Sequence, residues 1–332
     1  MNLRHEKIFI TADSGETVEA QAPVIISASR ATDIPAFYAQ WFIDRIKRGY
    51  LVWYNPFNHQ PVFVSFNNCK VIVFWTKNPK PLMPFLKDLD GQGIHYYFQL
   101  TLNDYEKEGF ELNLPPLDER IDTFKALSEH IGKEKLVWRF DPMIITPSLQ
   151  PQEILKRVLT IGNQLKSYTN RFVFSFIDIV TYRKVQRNLS HLTGKTFKIA
   201  EPTPAQMHEI AEGLSKIREL WQREGFDISF ASCAETIDLE PYGISHNRCI
   251  DSELMKQIFS KDKDLVQFLN YGKASSLRVK PLPAEQWKDR GQRKACGCMV
   301  SKDIGMYNSC HHFCVYCYAN TFKEAVNNRL LK

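Results

Sequence analysis

Short runs of β-branched and aromatic residues recur along the chain, separated by stretches whose apolar positions return at helical spacing. The runs are VIISA (24–28), VIVFWT (71–76), YYFQLT (96–101), LVWRFD (136–141), FVFSFI (172–177) and ISFASC (228–233). Near-continuous apolar runs of this length predict strands buried on both faces of a parallel sheet. Helices are predicted from Asp33-Ile34-Pro35 to Gly49, over 117–132, over 151–165 and over 203–225. The first has an acid and a proline at its start and a glycine at its end, where each residue suits the helix terminus. Residues 50–66 read as an inserted hairpin turned at Asn55 to Gln60, and residues 7–21 as an N-terminal hairpin turned at Ser14-Gly15.

This is a β/α series with six strands, hence an α/β fold, either doubly wound or an incomplete barrel. Both place their sites at the carboxyl ends of the strands. The residues there are Ser27, Ser29, Arg30 and Asp33, then Lys77 and Asn78, Gln99 and Thr101, Arg139 and Asp141, Asp178, and finally Cys233 and Glu235. Turns are polar anyway, so it is the recurrence at one end of the series that predicts a site.

A chain of 332 residues is long enough for one large α/β domain. The division expected is 1–272 for that domain and 273–332 for a polar connector and a cysteine-rich segment at its mouth. Net charge is +6, mildly basic and compatible with an anionic partner without requiring one. The first twenty residues hold no apolar run of signal-peptide length, and no stretch reaches membrane-span length, so a cytoplasmic protein with no membrane partner is expected.

That expectation changes the meaning of eight cysteines. In a reducing compartment clustered cysteines read as metal ligands or catalytic thiols rather than disulfides. Cys310, Cys314 and Cys317 form a C-x3-C-x2-C run with Tyr316 before the last. Three thiolates from one loop can converge on a single centre, and sulfur selects zinc, iron–sulfur or copper(I). Cys233, Cys249, Cys296 and Cys298 could make a closed second [4Fe–4S] site, although their spacing is no local motif. Cys69 reads as core.

Cys310-x3-Cys314-x-Tyr316-Cys317 resembles the signature of the radical S-adenosylmethionine enzymes. "CVYCYAN", "WTKN" (75–78) and "WRFDP" (138–142) are similar to elements of its spore photoproduct lyase-like branch. "SASRATDIP", "FWTKNP", "WRFDP" and "CGCMVSKDIGMYNSCHHFCVYCYAN" resemble more closely still a bacterial family of unassigned activity with a C-terminal cysteine cluster. The resemblance implies a partial (β/α)6 TIM-like barrel and a [4Fe–4S] cluster on Cys310, Cys314 and Cys317. It implies that the open iron of that cluster chelates S-adenosylmethionine, whose one-electron cleavage gives a 5′-deoxyadenosyl radical. A reductant such as flavodoxin or ferredoxin would supply the electron. The usual motif follows the first strand, whereas here "SRATDIP" stands there and the cysteines arrive from the far end of the chain. The usual glycine-rich contact after the second strand is replaced by "FWTKNPKP".

With the cluster at the barrel mouth, Lys77, Arg139 and Asp141 become candidate catalytic residues. Arg30, Ser27, Asn78 and Tyr316 become candidate cofactor contacts, with arginine favoured for bidentate recognition of carboxylate or phosphate. Asp178, Tyr182 and Glu235 are further acid, base or hydrogen-donor candidates. For Arg139 and Asp141 a satisfied buried ion pair is the plainer reading. The alternatives are a zinc-stabilised nucleic-acid-binding protein, its metal on the three cysteines with His311 or His312 and its contact surface KDRGQRK (288–294), or an iron–sulfur electron-transfer protein.

Overall fold

The computed structural model describes residues 5–190, 199–271, 287–289, 291–321 and 326. Glu6–Thr11 (β1) and Thr17–Ala22 (β2) form the expected N-terminal hairpin. The next strand, Ile25–Ala28 (β3), is wholly buried. Asp33 caps Ile34–Phe37 (α1), its carboxylate accepting from the Ala36 N–H at 3.0 Å, and Pro35 sits in the first turn, where a missing N–H costs nothing. The single helix expected from 33 to 49 is in fact two. Tyr38 leaves helical geometry, its hydroxyl donating to the Ser309 carbonyl at 2.7 Å, before Ala39–Arg48 (α2) resumes. Gly49 ends α2 at a φ of 87°, a conformation that glycine enters without a Cβ penalty.

Tyr50–Tyr54 (β4) and Pro61–Ser65 (β5) are the inserted hairpin, which joins the first one in a small sheet of order β1-β2-β5-β4. The chain then runs through Val71–Thr76 (β6), Leu86–Gly91 (α3), His95–Thr101 (β7), Leu117–Ile131 (α4), Leu136–Met143 (β8), Pro151–Leu165 (α5) and Arg171–Phe176 (β9). Arg183–Ser190 (α6), Pro204–Arg223 (α7), Ser229–Ser232 (β10), Ser245–His246 (β11), Ser252–Ile258 (α8), Lys263–Tyr271 (α9) and Lys302–Asp303 (β12) follow. Thr203 and Gln206 cap α7 reciprocally. Cys249 lies in the turn before α8, which Asp251 caps.

Among the described residues the main sheet has the order β11-β10-β9-β8-β7-β6-β3-β12, and every neighbouring pair is parallel. All six strands read from the apolar runs belong to it. From β3 to β10 they stand in chain order, without the reversal that defines a doubly wound sheet. Side chains alternate between two cores, as the two-residue period of a strand requires. Ile26, Phe74, Phe98, Trp138 and Phe174 share one core with residues of α1 to α5 and α7. Val73, Tyr97, Val137, Val173 and Ala231 share the other with Leu254 and Met255 of α8, Leu265 and Leu269 of α9, and the cysteine-bearing residues 296–299. Each such fully buried aliphatic or aromatic side chain contributes roughly 1.5–3 kcal/mol.

Much of the polar connector (275–294) falls outside the described residues. Beyond it the C-terminal segment belongs to the main body. β12 pairs with β3 at Lys302↔Ile26 and Asp303↔Ser27, and Ile304, Val315 and Tyr316 lie in the first core. No helix among the described residues is long and apolar enough to cross a membrane.

Candidate functional site

The strand side chains that alternate onto the second core change character toward the carboxyl ends. Val73 is followed on that face by Trp75, Val137 by Arg139 and Asp141, Val173 by Ser175, and Ala231 by Cys233. Trp75, Arg139, Asp141, Ser175 and Cys233 line a cavity of about 300 Å³, together with Arg30, Asp33, Lys77 and Thr101. Cys310, Cys314, Cys317, Cys233, Cys249, Cys296 and Cys298 all line it too. Cys69 does not; it is buried in the first core.

The three-cysteine loop is fastened beside β3 by its own backbone. Thr32 Oγ1 donates to the Met306 carbonyl at 2.9 Å and lies 2.6 Å from Ser309 Oγ. Asn320 Nδ2 donates to the Cys310 carbonyl at 2.6 Å, and Asn188 Nδ2 to the Cys317 carbonyl at 2.9 Å. The Val315 N–H reaches the Phe110 carbonyl at 2.9 Å, beside an antiparallel bridge between Glu111 and Cys314. His312 stands between acceptors, Nε2 at 2.7 Å from Asp33 Oδ2 and Nδ1 at 3.1 Å from the Asn113 carbonyl. Both its ring nitrogens are thus engaged, which leaves it poorly placed as a fourth metal ligand. Burial pushes the Cys310 thiol up to about 12 and raises those of Cys314 and Cys317. Protons stay on such thiols until a bound cation displaces them.

Lys77 lies at the Cys314 side of this loop. Its Nζ donates to Glu111 Oε1 at 2.7 Å and to Tyr316 Oη at 3.1 Å. The Tyr316 hydroxyl itself donates to Glu111 Oε1, and Asn103 Nδ2 reaches the same oxygen at 3.1 Å. Burial disfavours both charges, but each outweighs it for the other, raising the Lys77 pKa and lowering that of Glu111. Arg139 is similarly paired. Its Nε donates to Asp141 Oδ2 at 3.0 Å and its Nη1 to Gln99 Oε1 at 3.1 Å, while Ser175 Oγ donates to Asp141 Oδ1. Arg139 and Asp141 are therefore a satisfied ion pair that also faces the cavity.

Arg30 is held over the Trp75 ring at 4.8 Å, with its backbone N–H on Asp303 Oδ2 at 2.9 Å. Its buried Nη2 has no hydrogen-bond partner among the described residues. Two expected contacts lie elsewhere. Ser27 is fully buried and donates to Asp303 Oδ2 at 2.6 Å, fastening β12 to β3, while Asn78 accepts from the Lys80 N–H at 3.2 Å. Neither lines the cavity. Asp178 and Tyr182 do line it; Asp178 pairs with Arg293 at 3.2 Å, and Tyr182 stacks on Tyr318 with ring centroids 5.3 Å apart. Glu235 accepts from the Phe176 N–H at 2.9 Å, and burial pushes its carboxyl up to about 7. Sequence reasoning missed Glu111, Asn103 and Asp303; the only pointer to them was the need of Lys77 and Arg30 for a counter-charge.

Gly305 allows the close approach of the C-terminal segment to the end of β3. A Cβ there would sit 1.7 Å from Ser29 Oγ and 2.7 Å from Ser29 Cβ. Ser29 Oγ cannot swing away freely, because it accepts from the N–H groups of Ala31 and Thr32 at 3.0 and 3.2 Å. Gly305→Ala is expected to destabilise by about 1–3 kcal/mol, the usual cost of overpacking. A thermal melt checks this, and an unchanged midpoint would show that the contact relaxes at no cost.

Among the described residues, no three His, Cys, Asp or Glu side chains lie at the spacing a single ion would need. The thiols instead line a space that could admit a group with a body of its own. One family model matches the chain, over residues 25–319; it is described as a domain of unknown function (DUF1848). No curated protein and no solved structure matches.

Proposed function

The chain belongs to the DUF1848 family, a membership that brings no activity with it, and we propose from the site itself that it is a radical S-adenosylmethionine enzyme. The observation that carries this reading is the position of Cys310, Cys314 and Cys317 on the cavity at the carboxyl ends of the parallel strands. An incomplete (β/α)6 barrel accounts for the sheet. The six long strands run in chain order, the intervening helices α1 to α5 and α7 pack on one face, and residues following β3 and β10 line one cavity.

The donor set fits an iron–sulfur group: three half-buried thiols from one loop, too few to close a tetrahedron alone and with His312 engaged elsewhere. Cys310, Cys314 and Cys317 would hold a [4Fe–4S] cluster. The chemistry such a cluster supplies when bound is the one-electron reductive cleavage of S-adenosylmethionine. Lys77, Glu111 and Tyr316 fix the loop next to Cys314 and put a cation within its field. Arg30 offers its Nη2, without a partner among the described residues, to an anionic group such as a carboxylate, and the Trp75 face keeps the guanidinium in place. Phe176, Ile177 and Val185 supply an apolar wall that limits water at the mouth.

The test is purification without air, quantification of iron, sulfide and zinc, then addition of dithionite and S-adenosylmethionine and an assay for 5′-deoxyadenosine. Iron, sulfide and the nucleoside are the expected result. Clusters that never yield the nucleoside would favour electron transfer, and zinc alone would overturn the reading.

A further inference from the structure

The remaining four cavity thiols come from three separate places in the chain. Cys233 follows β10, Cys249 precedes α8, and Cys296 and Cys298 lie upstream of β12. The fold nevertheless brings their sulfurs into sequence. Cys233 Sγ lies 3.4 Å from Cys249 Sγ, Cys249 neighbours Cys298, and Cys298 neighbours Cys296. Cys249, Cys296 and Cys298 are buried.

What surrounds these sulfurs is unusual for thiols. Arg139 Nη1 donates to Cys249 Sγ at 3.1 Å, Asn247 Nδ2 to the same sulfur at 3.3 Å, and the Ile250 N–H to Cys298 Sγ at 3.5 Å. Tyr97 Oη and Gln99 Nε2 hold the Cys249 carbonyl at 2.7 and 3.0 Å, which fixes the turn that presents the sulfur. A neutral thiol is a weak acceptor, so a buried guanidinium and a buried amide aimed at one gain little. Aimed at a thiolate they make charge-assisted bonds, and a buried thiolate is kept by a metal. Among the described residues no three such side chains are placed to hold one ion, and all four cysteines border an open space.

We propose that Cys233, Cys249, Cys296 and Cys298 hold a second iron–sulfur cluster, closed by four thiolates and facing the same cavity as the three-cysteine loop. Four protein ligands leave it no open iron for a small molecule, in contrast to the three-cysteine site. The inference stands on this second set of residues and does not depend on S-adenosylmethionine chemistry at the first.

The experiment compares the full chain with Cys314→Ser, Cys298→Ser and Cys233→Ser variants, all purified without air. It reads iron, sulfide and zinc per chain, electron paramagnetic resonance after dithionite, and circular dichroism melts to confirm folding. Cys233 is only half-buried, so its serine variant guards against misfolding of Cys298→Ser. Cys298→Ser and Cys233→Ser are expected to lose about two or about four irons, for a [2Fe–2S] or a [4Fe–4S] cluster, which Cys314→Ser retains. Iron that survives Cys314→Ser and vanishes in Cys298→Ser supports the second cluster even if 5′-deoxyadenosine never forms. Wild-type iron content in both second-set variants would overturn it. So would zinc that these variants lose, or a Cys233–Cys249 disulfide in an iron-free site.

Discussion

Cys314→Ala is expected to abolish 5′-deoxyadenosine formation, down to the uncatalysed background, and to strip the iron of the three-cysteine site while the chain stays folded. Cys314 is half-buried, and what fixes this part of the loop is backbone and neighbouring side chains. The Glu111–Cys314 bridge, the Val315 N–H on Phe110 and the Tyr316 hydroxyl on Glu111 all survive the substitution. Trimming one small group from such a position costs on the order of 1 kcal/mol, within reach of an ordinary domain's stability. A circular dichroism melt, an iron count and the nucleoside assay together check the expectation. Retained product formation would remove Cys314 from the centre. Wholesale unfolding of a variant whose parent holds zinc would mark the cysteines as structural.

The strands were legible because two-sided burial writes itself as unbroken apolar runs, and each of the six runs became a parallel strand of the main sheet. The same continuity hid which face each residue takes, since Val and Ile stand on both. The face becomes readable only where polar residues break in, as at Gln99, Arg139 and Ser175. The seat of the C-terminal segment was less legible still. β12 is two residues long and pairs through backbone groups that carry no pattern. What specifies it is the bare backbone of Gly305 against Ser29 and the carboxylate of Asp303 on Ser27 and Arg30. The break at Tyr38 has a similar origin, because its hydroxyl is tied to Ser309, a partner far away in the chain.

Glu111 was invisible in a loop without periodicity, and it is where the largest loss of stability is expected. Its side chain is 4 % exposed and that of Lys77 15 %. Glu111→Ala would strand the Lys77 ammonium in a buried site, leave the Tyr316 hydroxyl without its carboxylate, and remove one of the two acids beside Arg120, whose Nη1 is 3.9 Å from Glu111 Oε2. Removing one member of a buried pair typically costs about 3–5 kcal/mol. For a chain of this size each kcal/mol moves the midpoint by about 1.5 °C, so the melt should fall by roughly 4–8 °C. Adding Lys77→Met to Glu111→Ala is expected to recover much of that loss, since no ammonium is then left unpaired and an ion pair exchanged for apolar groups is often neutral. Denaturant midpoints of the two single variants and the double variant measure the coupling directly. A coupling near zero would mean that water reaches Lys77 and that the pair does not fix the Tyr316 loop. A large coupling, with iron binding at Cys310, Cys314 and Cys317 weakened in Glu111→Ala and restored in the double variant, would make Lys77 and Glu111 positioning residues for the three-cysteine site.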